Sequence, residues 1–340
     1  MFVFEPVPSR RLGRYSNALW LTGVCSRPIL ALCAALGLLA ACTVQEAPKQ
    51  PTATRIPITA TTVVAETPPA TVATLASATA TVATLASATA TVTAQPGGIN
   101  MPSEIHPITL TIVYDNQPFD ARLKTAWGFA CLVETGQAVI LFDTGGDGPT
   151  LMSNMAALGI DPRRVDSVVL SHYHSDHTGG LDALLEVNDH TLVYAPRSFP
   201  ADFKARVGKR ASVIEVSKPV TVAEHIRTTG EMGTAIIEQS LLIETSEGLI
   251  VMTGCAHPGI VEIVRQAKTH GEIFLAMGGF HLKDKSASQV EAIIAEFKQS
   301  GVRRVAPSHC TGDGAIRQFK EAFGADFITA GAGAVIHAER

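Results

Sequence analysis

Cysteine is scarce in this 340-residue chain. There are six, none in a C-x-x-C pair: Cys25, Cys33 and Cys42 lie near the N-terminus, and Cys131, Cys255 and Cys310 are spread over the rest. That spacing excludes a disulfide framework. An excess of one charge is also missing. The formal net charge is −4, so nothing argues for an anionic membrane surface as a partner, and no nucleic-acid partner is expected. The apolar run 28–41 has 14 residues, fewer than the roughly 20 that cross a bilayer. What the chain does have is 46% hydrophobic residues, enough for one large domain or two ordinary ones.

The N-terminal third carries no core. Arg10, Arg11, Arg14 and Arg27 precede the run 28–41, which fits the apolar centre of an export signal. It ends in Leu39-Ala40-Ala41-Cys42, which resembles a bacterial lipobox. That resemblance implies a signal peptide over 1–41, a lipid on Cys42 and a membrane-anchored protein of the cell envelope, facing outside the cytoplasm. Ser9-Arg10-Arg11 hints at a twin-arginine signal. The long stretch before the apolar run leaves open a start downstream of Met1. Residues 42–103 are rich in Thr, Ala, Pro and Val, and Ala-Thr-Val-Ala-Thr-Leu-Ala-Ser-Ala-Thr occurs at 70–79 and again at 80–89. Such a segment buries too little apolar surface to offset its ordering entropy and reads as a tether. The folded domain is expected over 104–340.

Chemistry concentrates in Ser171-His172-Tyr173-His174-Ser175-Asp176-His177-Thr178-Gly179-Gly180. The apolar run 168–170 before it reads as a buried strand, and Gly179-Gly180 followed by Leu181, Leu184 and Leu185 reads as a helix start. The polar residues therefore sit on a strand-to-helix loop. Imidazoles and a carboxylate suit Zn²⁺ or a similar borderline ion. His172 and His174, at alternate positions, can face one ion, and Asp176 and His177 a second. Histidines this dense would repel when protonated unless a metal held them neutral.

Further strands are expected at 108–114, 128–133, 138–142, 192–194, 240–245, 249–253, 273–277 and 302–306. Asp143 closes the third of these. His257 stands at a strand end, and Pro258 opens a helix with Ile260, Ile263, Val264 and Ala267 at helical spacing. Ser286-x-x-Gln289 is a capping box, with Val290, Ile293, Ile294 and Phe297 as a core stripe behind it. His309 follows another strand. Cys310 beside it reads as a small buried apolar residue, with a ligand role as the alternative. The cations of 197–210 read as a solvated helix face rather than an anion-binding cap.

The H-x-H-x-D-H pattern of 172–177 resembles the signature of the metallo-β-lactamase superfamily. Six other segments narrow the likeness: 114–116, 127–129, 142–145, 254–259, 278–282 and 308–312. They resemble the subgroup of dihydropterin-ribofuranosylaminobenzene-phosphate synthase-like proteins. The resemblance implies an α/β fold, a four-layer αββα sandwich, behind the signal and tether. It implies two divalent ions, Zn²⁺ foremost with Mn²⁺ or Fe as alternatives. His172, His174 and His257 would hold one, and Asp176, His177 and His309 the other. Asp143 would support the metal loop from beneath. Members of the superfamily place a bridging Asp or Cys near 278–282, where this chain has Gly-Gly-Phe-His-Leu; either His281 is a ligand or supporting group, or no side chain makes the bridge.

The function implied is that of a dinuclear metallo-hydrolase, with hydroxide on the metals attacking a small ester, lactone, amide or phosphodiester. Asp176 would also orient that hydroxide. Tyr173 can hydrogen-bond the small-molecule substrate or merely pack, and Lys283 and Lys285 can meet an anion or stay solvated. Two alternatives stand beside this: a synthase related to methanopterin precursor assembly, and a non-catalytic metal- or ligand-binding envelope lipoprotein.

Overall fold

The structure, a computed structural model, describes residues 107–339; the expected signal 1–41, Cys42 and the tether 42–103 lie outside the described residues. Three hydrophobic clusters define four layers. The first sheet holds β1 (Ile108–Asp115), β2 (Phe129–Glu134), β3 (Val139–Phe142), β4 (Ser167–Val169), β5 (Leu192–Pro196) and β6 (Ser212–Val216). Short strands β7 (Thr221–Ala223) and β8 (Ile226–Thr228) begin the second sheet. It continues through β9 (Leu241–Thr245), β10 (Gly248–Thr253), β11 (Ile273–Gly279) and β12 (Arg304–Ser308). The last strand, β13 (Val335–Ala338), returns to the first sheet against β1. The orders are β13-β1-β2-β3-β4-β5-β6 and β12-β11-β10-β9-β8-β7.

Strand alternation sorts side chains between layers. Phe129, Cys131 and Val133 of β2 and Ile140 and Phe142 of β3 point between the sheets, where Ile250 and Met252 of β10 meet them. Their neighbours Ala130, Leu132 and Leu141 point outward, under the helices α1 (Gly148–Ala157), α3 (Leu181–Val187) and α4 (Ala201–Val207). A single turn, α2 (Ser175–Thr178), precedes α3. On the far side α5 (Ile260–Lys268), α6 (Ala287–Gln299) and α7 (Asp313–Phe323) cover Val251, Ala276 and Val305. The result is the αββα sandwich the motifs imply. Ser286 and Gln289 make the reciprocal capping box at the start of α6.

Strands β3 to β6 run parallel, as do β10 to β12. Their carboxyl ends lie at one edge of the sandwich, and every chemistry-bearing loop leaves from that edge. Four of the five cations of 197–210 pair with surface carboxylates, among them Lys204 with Glu215 at 3.0 Å and Arg206 with Asp182.

Candidate metal centre

The loop after β4 is anchored from below by Asp143, the residue ending β3. Its Oδ1 accepts the Ser171 N–H at 2.7 Å; its Oδ2 accepts the Ser171 hydroxyl at 2.7 Å and the Nδ1–H of His177 at 2.7 Å. Because a carboxylate only accepts, these bonds fix proton positions. Neutral His177 therefore carries its proton on Nδ1, leaving a lone pair on Nε2. The Ser171 proton is committed to Asp143, so Ser171 Oγ accepts from His172 Nδ1 at 2.9 Å. His172 then also presents Nε2 as a lone pair.

The same logic holds His309. Asn116, just past β1, accepts from His309 Nδ1 at 2.8 Å and donates to its carbonyl at 3.3 Å. Buried Asp115 accepts the His309 N–H at 3.3 Å, and burial pushes the Asp115 carboxyl up to about 6. His309 Nε2 is left as a lone pair. Neither Asp115 nor Asn116 had a role readable from sequence; only folding brings them to a residue nearly 200 positions away.

Six predicted residues converge as two sets. The rings of His172, His174 and His257 are mutually close, their centroids 4.6 Å (172 to 174), 4.7 Å (172 to 257) and 4.9 Å (174 to 257) apart. His172 Nε2 lies 3.0 Å from His174 Nδ1. In the second set Asp176 Oδ2 is 3.6 Å from His177 Nε2 and 3.5 Å from His309 Nε2. Cys255 Sγ sits 3.2 Å from His177 Nε2 and 3.4 Å from His309 Nε2, and also belongs with His172 and His257. Sequence reasoning missed Cys255. A cysteine at the end of an apolar strand carries no local mark of a ligand.

The donor set fits a divalent cation. Two ligands roughly 2.1 Å from one tetrahedral ion lie about 3.4 Å apart, the spacing seen here. His257 Nε2 is buried and has no hydrogen-bond partner. The carboxylates of Asp143, Asp176 and Glu238 surround lone pairs that a cation would satisfy. Burial works against charge on His177, but the Asp143 carboxylate outweighs it and raises the imidazole. Burial lowers His172 strongly and, with His281 beside it, brings His257 down to about 4. The hydrogen bond with Cys310, together with burial, pushes the Cys255 thiol up.

Glu238, also missed, lies in the irregular stretch before β9 and is buried. Its carboxylate accepts the N–H groups of Cys255 at 3.0 Å, Ala256 at 2.9 Å and His257 at 2.8 Å, so it sets the loop that delivers two donors. Burial raises its own carboxyl. Backbone strain gathers here as well. Among the described residues, four of the five non-glycine residues with positive φ are Asp143, Ala256, His281 and His309. Each costs about 1–3 kcal/mol, and the surrounding hydrogen bonds hold them there.

The remaining candidates form the rim. His281 is exposed, its ring 4.4 Å from that of His257, and it shares a cluster with Cys255 and Cys310. The Lys283 ammonium lies 4.8 Å over Trp127, whose ring is 4.9 Å from His309. Tyr173 is half-exposed, rests on Phe199 and Phe203, and lines a cavity of about 240 Å³ with His174. A second cavity of about 320 Å³ runs from His257 and His281 past Phe280, Ile260 and Ile293 to Lys285.

Residues 128–259 match the family profile described as the metallo-beta-lactamase superfamily. A 7,8-dihydropterin-6-methyl-4-(beta-D-ribofuranosyl)-aminobenzene-5'-phosphate synthase from Methanocaldococcus jannaschii is 29% identical over 278 residues, covering 66% of this chain and 95% of that protein. The crystal structure of Tm1679, a metal-dependent hydrolase of the beta-lactamase superfamily, superposes with a TM-score of 0.59 at 27% identity, over 67% of this chain and 98% of that one. The metallo-beta-lactamase fold protein YhfI from Bacillus subtilis superposes at 0.52 with 18% identity, covering 68% and 100% of the two chains, a likeness of fold.

Proposed function

We propose that this chain is a metal-dependent hydrolase of the metallo-β-lactamase superfamily, which its profile match and its relatives support, acting on a small ester, lactone, amide or phosphodiester. The observation that supports this best is the pair of lone-pair donor sets side by side at the strand ends, with two cavities opening beside them. Divalent ions bound there would supply Lewis acidity and acidify water towards neutral pH. The chain's own residues do the rest.

Asp176 keeps Oδ2 within 3.6 Å of His177 Nε2 and 3.5 Å of His309 Nε2. A carboxylate at that place suits orienting a nucleophilic water. Tyr173 stands at the mouth of one cavity with its hydroxyl free to hydrogen-bond a substrate oxygen. The other cavity has an apolar floor and Lys285 at its rim, which fits a hydrocarbon or ring with an anionic end. Lys283, held over Trp127, adds a second cation on the side of His309.

The test is turnover of aryl esters, lactones and bis-nitrophenyl phosphate by the full chain loaded with Zn²⁺, Mn²⁺ or Fe²⁺. The proposal expects at least one to be hydrolysed, with loss on chelation and recovery on adding metal. A metal-loaded protein inert towards all of them overturns it. A second reading, a carbon–nitrogen or carbon–carbon bond-forming synthase, is favoured by the 95% coverage of the archaeal synthase; product analysis with a pterin and an aminobenzene ribotide tests it. We place the domain outside the cytoplasm on the lipobox at Cys42, and Cys42→Ala should release it from the membrane fraction.

A further inference from the structure

We propose that Cys255 is a ligand of this metal centre, its thiolate shared between the two donor sets in place of a bridging carboxylate. The inference rests on reading the site as a metal centre and goes on to say which atom joins its halves and which ions it selects.

The stretch 278–284 offers no carboxylate before Asp284, which is exposed. Of the buried carboxylates nearby, Asp143 already accepts three hydrogen bonds and Glu238 three backbone N–H groups. Both are turned to those donors, and neither they nor buried Asp115 joins the His/Cys donor clusters among the described residues. Among the described residues, the sulfur of Cys255 is the anionic donor that clusters both with His172 and His257 and with Asp176, His177 and His309.

Both nitrogens in contact with Sγ, at 3.2 and 3.4 Å, carry lone pairs, because their partner nitrogens donate to Asp143 and Asn116. A thiol has one proton and can satisfy one of them. The other is left facing sulfur lone pairs at a site where Cys255 is 3% exposed and both imidazoles 1% or less. A buried acceptor with no donor is costly, and a cation that replaces the proton satisfies every group at once.

Three N–H groups pinned by Glu238 and a left-handed Ala256 hold Cys255 and His257 on one rigid turn. A structural cysteine would need no such anchoring. The consequence is selectivity: thiolate is a soft ligand and favours Zn²⁺, Co²⁺ or Fe²⁺ over Mg²⁺ and Mn²⁺, which prefer oxygen.

X-ray absorption on the full chain loaded with Zn²⁺ tests this without any substitution. A sulfur scatterer at about 2.3 Å is expected. In the Co²⁺-loaded protein a thiolate-to-cobalt charge-transfer band should appear, vanish in Cys255→Ser and persist in Cys310→Ser, while the visible ligand-field bands remain in all three. Zn²⁺ retention by Cys255→Ser should fall at least about 10-fold, since a ligand should matter no less than the groups supporting it, with Mn²⁺ retention changing less. Bound metal with nitrogen and oxygen neighbours alone overturns the assignment and leaves the metal centre standing. A band lost in Cys310→Ser instead moves the ligand to Cys310 and overturns it as well. A chain that binds none of these ions overturns both readings.

Discussion

Replacing Asp143 by Asn is the sharpest probe of how this site is built. The side chains are isosteric, and Asn accepts the left-handed backbone at this position (φ 57°) as readily as Asp. The effect should therefore be electronic. Asn can keep its oxygen on the Ser171 N–H, but its NH₂ then replaces the Oδ2 that now accepts from both Ser171 Oγ and His177 Nδ1 at 2.7 Å. Two donors would face each other. His177 relieves the clash by moving its proton to Nε2, the atom 3.6 Å from Asp176 Oδ2 and 3.2 Å from Cys255 Sγ. A protonated Nε2 cannot bind a cation. Groups of this kind are worth 10–100-fold in metal affinity, so Zn²⁺ binding should weaken by about 1.4–2.8 kcal/mol. Competition with a chromogenic chelator measures it, and thermal melting in excess chelator checks that the fold survives. Unchanged Zn²⁺ affinity in a normally folded variant would refute the tautomer argument.

Glu238→Gln retains an oxygen for two of the three N–H groups of 255–257 but turns an NH₂ towards the third; denaturant unfolding should show a loss of about 1–3 kcal/mol. Gly254→Ala would set a Cβ 2.1 Å from Ser171 Oγ and 2.8 Å from Asp143 Oδ2, a clash costing about 1–3 kcal/mol or more in stability, with metal retention falling alongside. Gly314→Ala is its counterpart: the position lies in α7 with nothing within 4 Å of the added carbon, and the melting temperature should rise for a gain of about 0.5–1 kcal/mol. Tyr114 is buried and donates to Asp147 at 2.7 Å; burial and that bond raise its phenol above the ordinary value. The neutral form is thus favoured in the fold, and its contribution is complete below the unfolded value near 10 and lost as pH climbs towards the folded one. Tyr114→Phe should cost about 1.5–3 kcal/mol at neutral pH and flatten the fall of stability with pH in alkaline denaturation; an unchanged slope would refute this.

The strands that alternate cleanly and the helices with apolar stripes were readable in advance, since period 2 and period 3.6 are local properties. What escaped was short or poorly marked. The strands β7 and β8 have three residues each, and β6 and β13 are short edge strands of five and four residues, so their patterns are too brief to register. The helix α1 carries Gly148, Pro149 and Asn154, which lower its intrinsic helicity; it forms because Leu151 and Met155 pack on the first sheet. The turn α2 was read as loop, one turn being below what periodicity reports. In the site, the four residues of 172–177 were visible because they crowd six positions, and His257 and His309 because each follows a strand.

By itself the sequence determined the chemistry on offer: which donors exist and that they stand at strand ends. The tertiary structure alone decided how those donors are used. It carried Asp115 and Asn116 to His309, laid Glu238 under the 255–257 turn and brought the Cys255 sulfur against two imidazoles. A hydrogen bond spanning the domain has no local pattern, because it depends on where parallel strands end, and that is settled only when both sheets pack face to face.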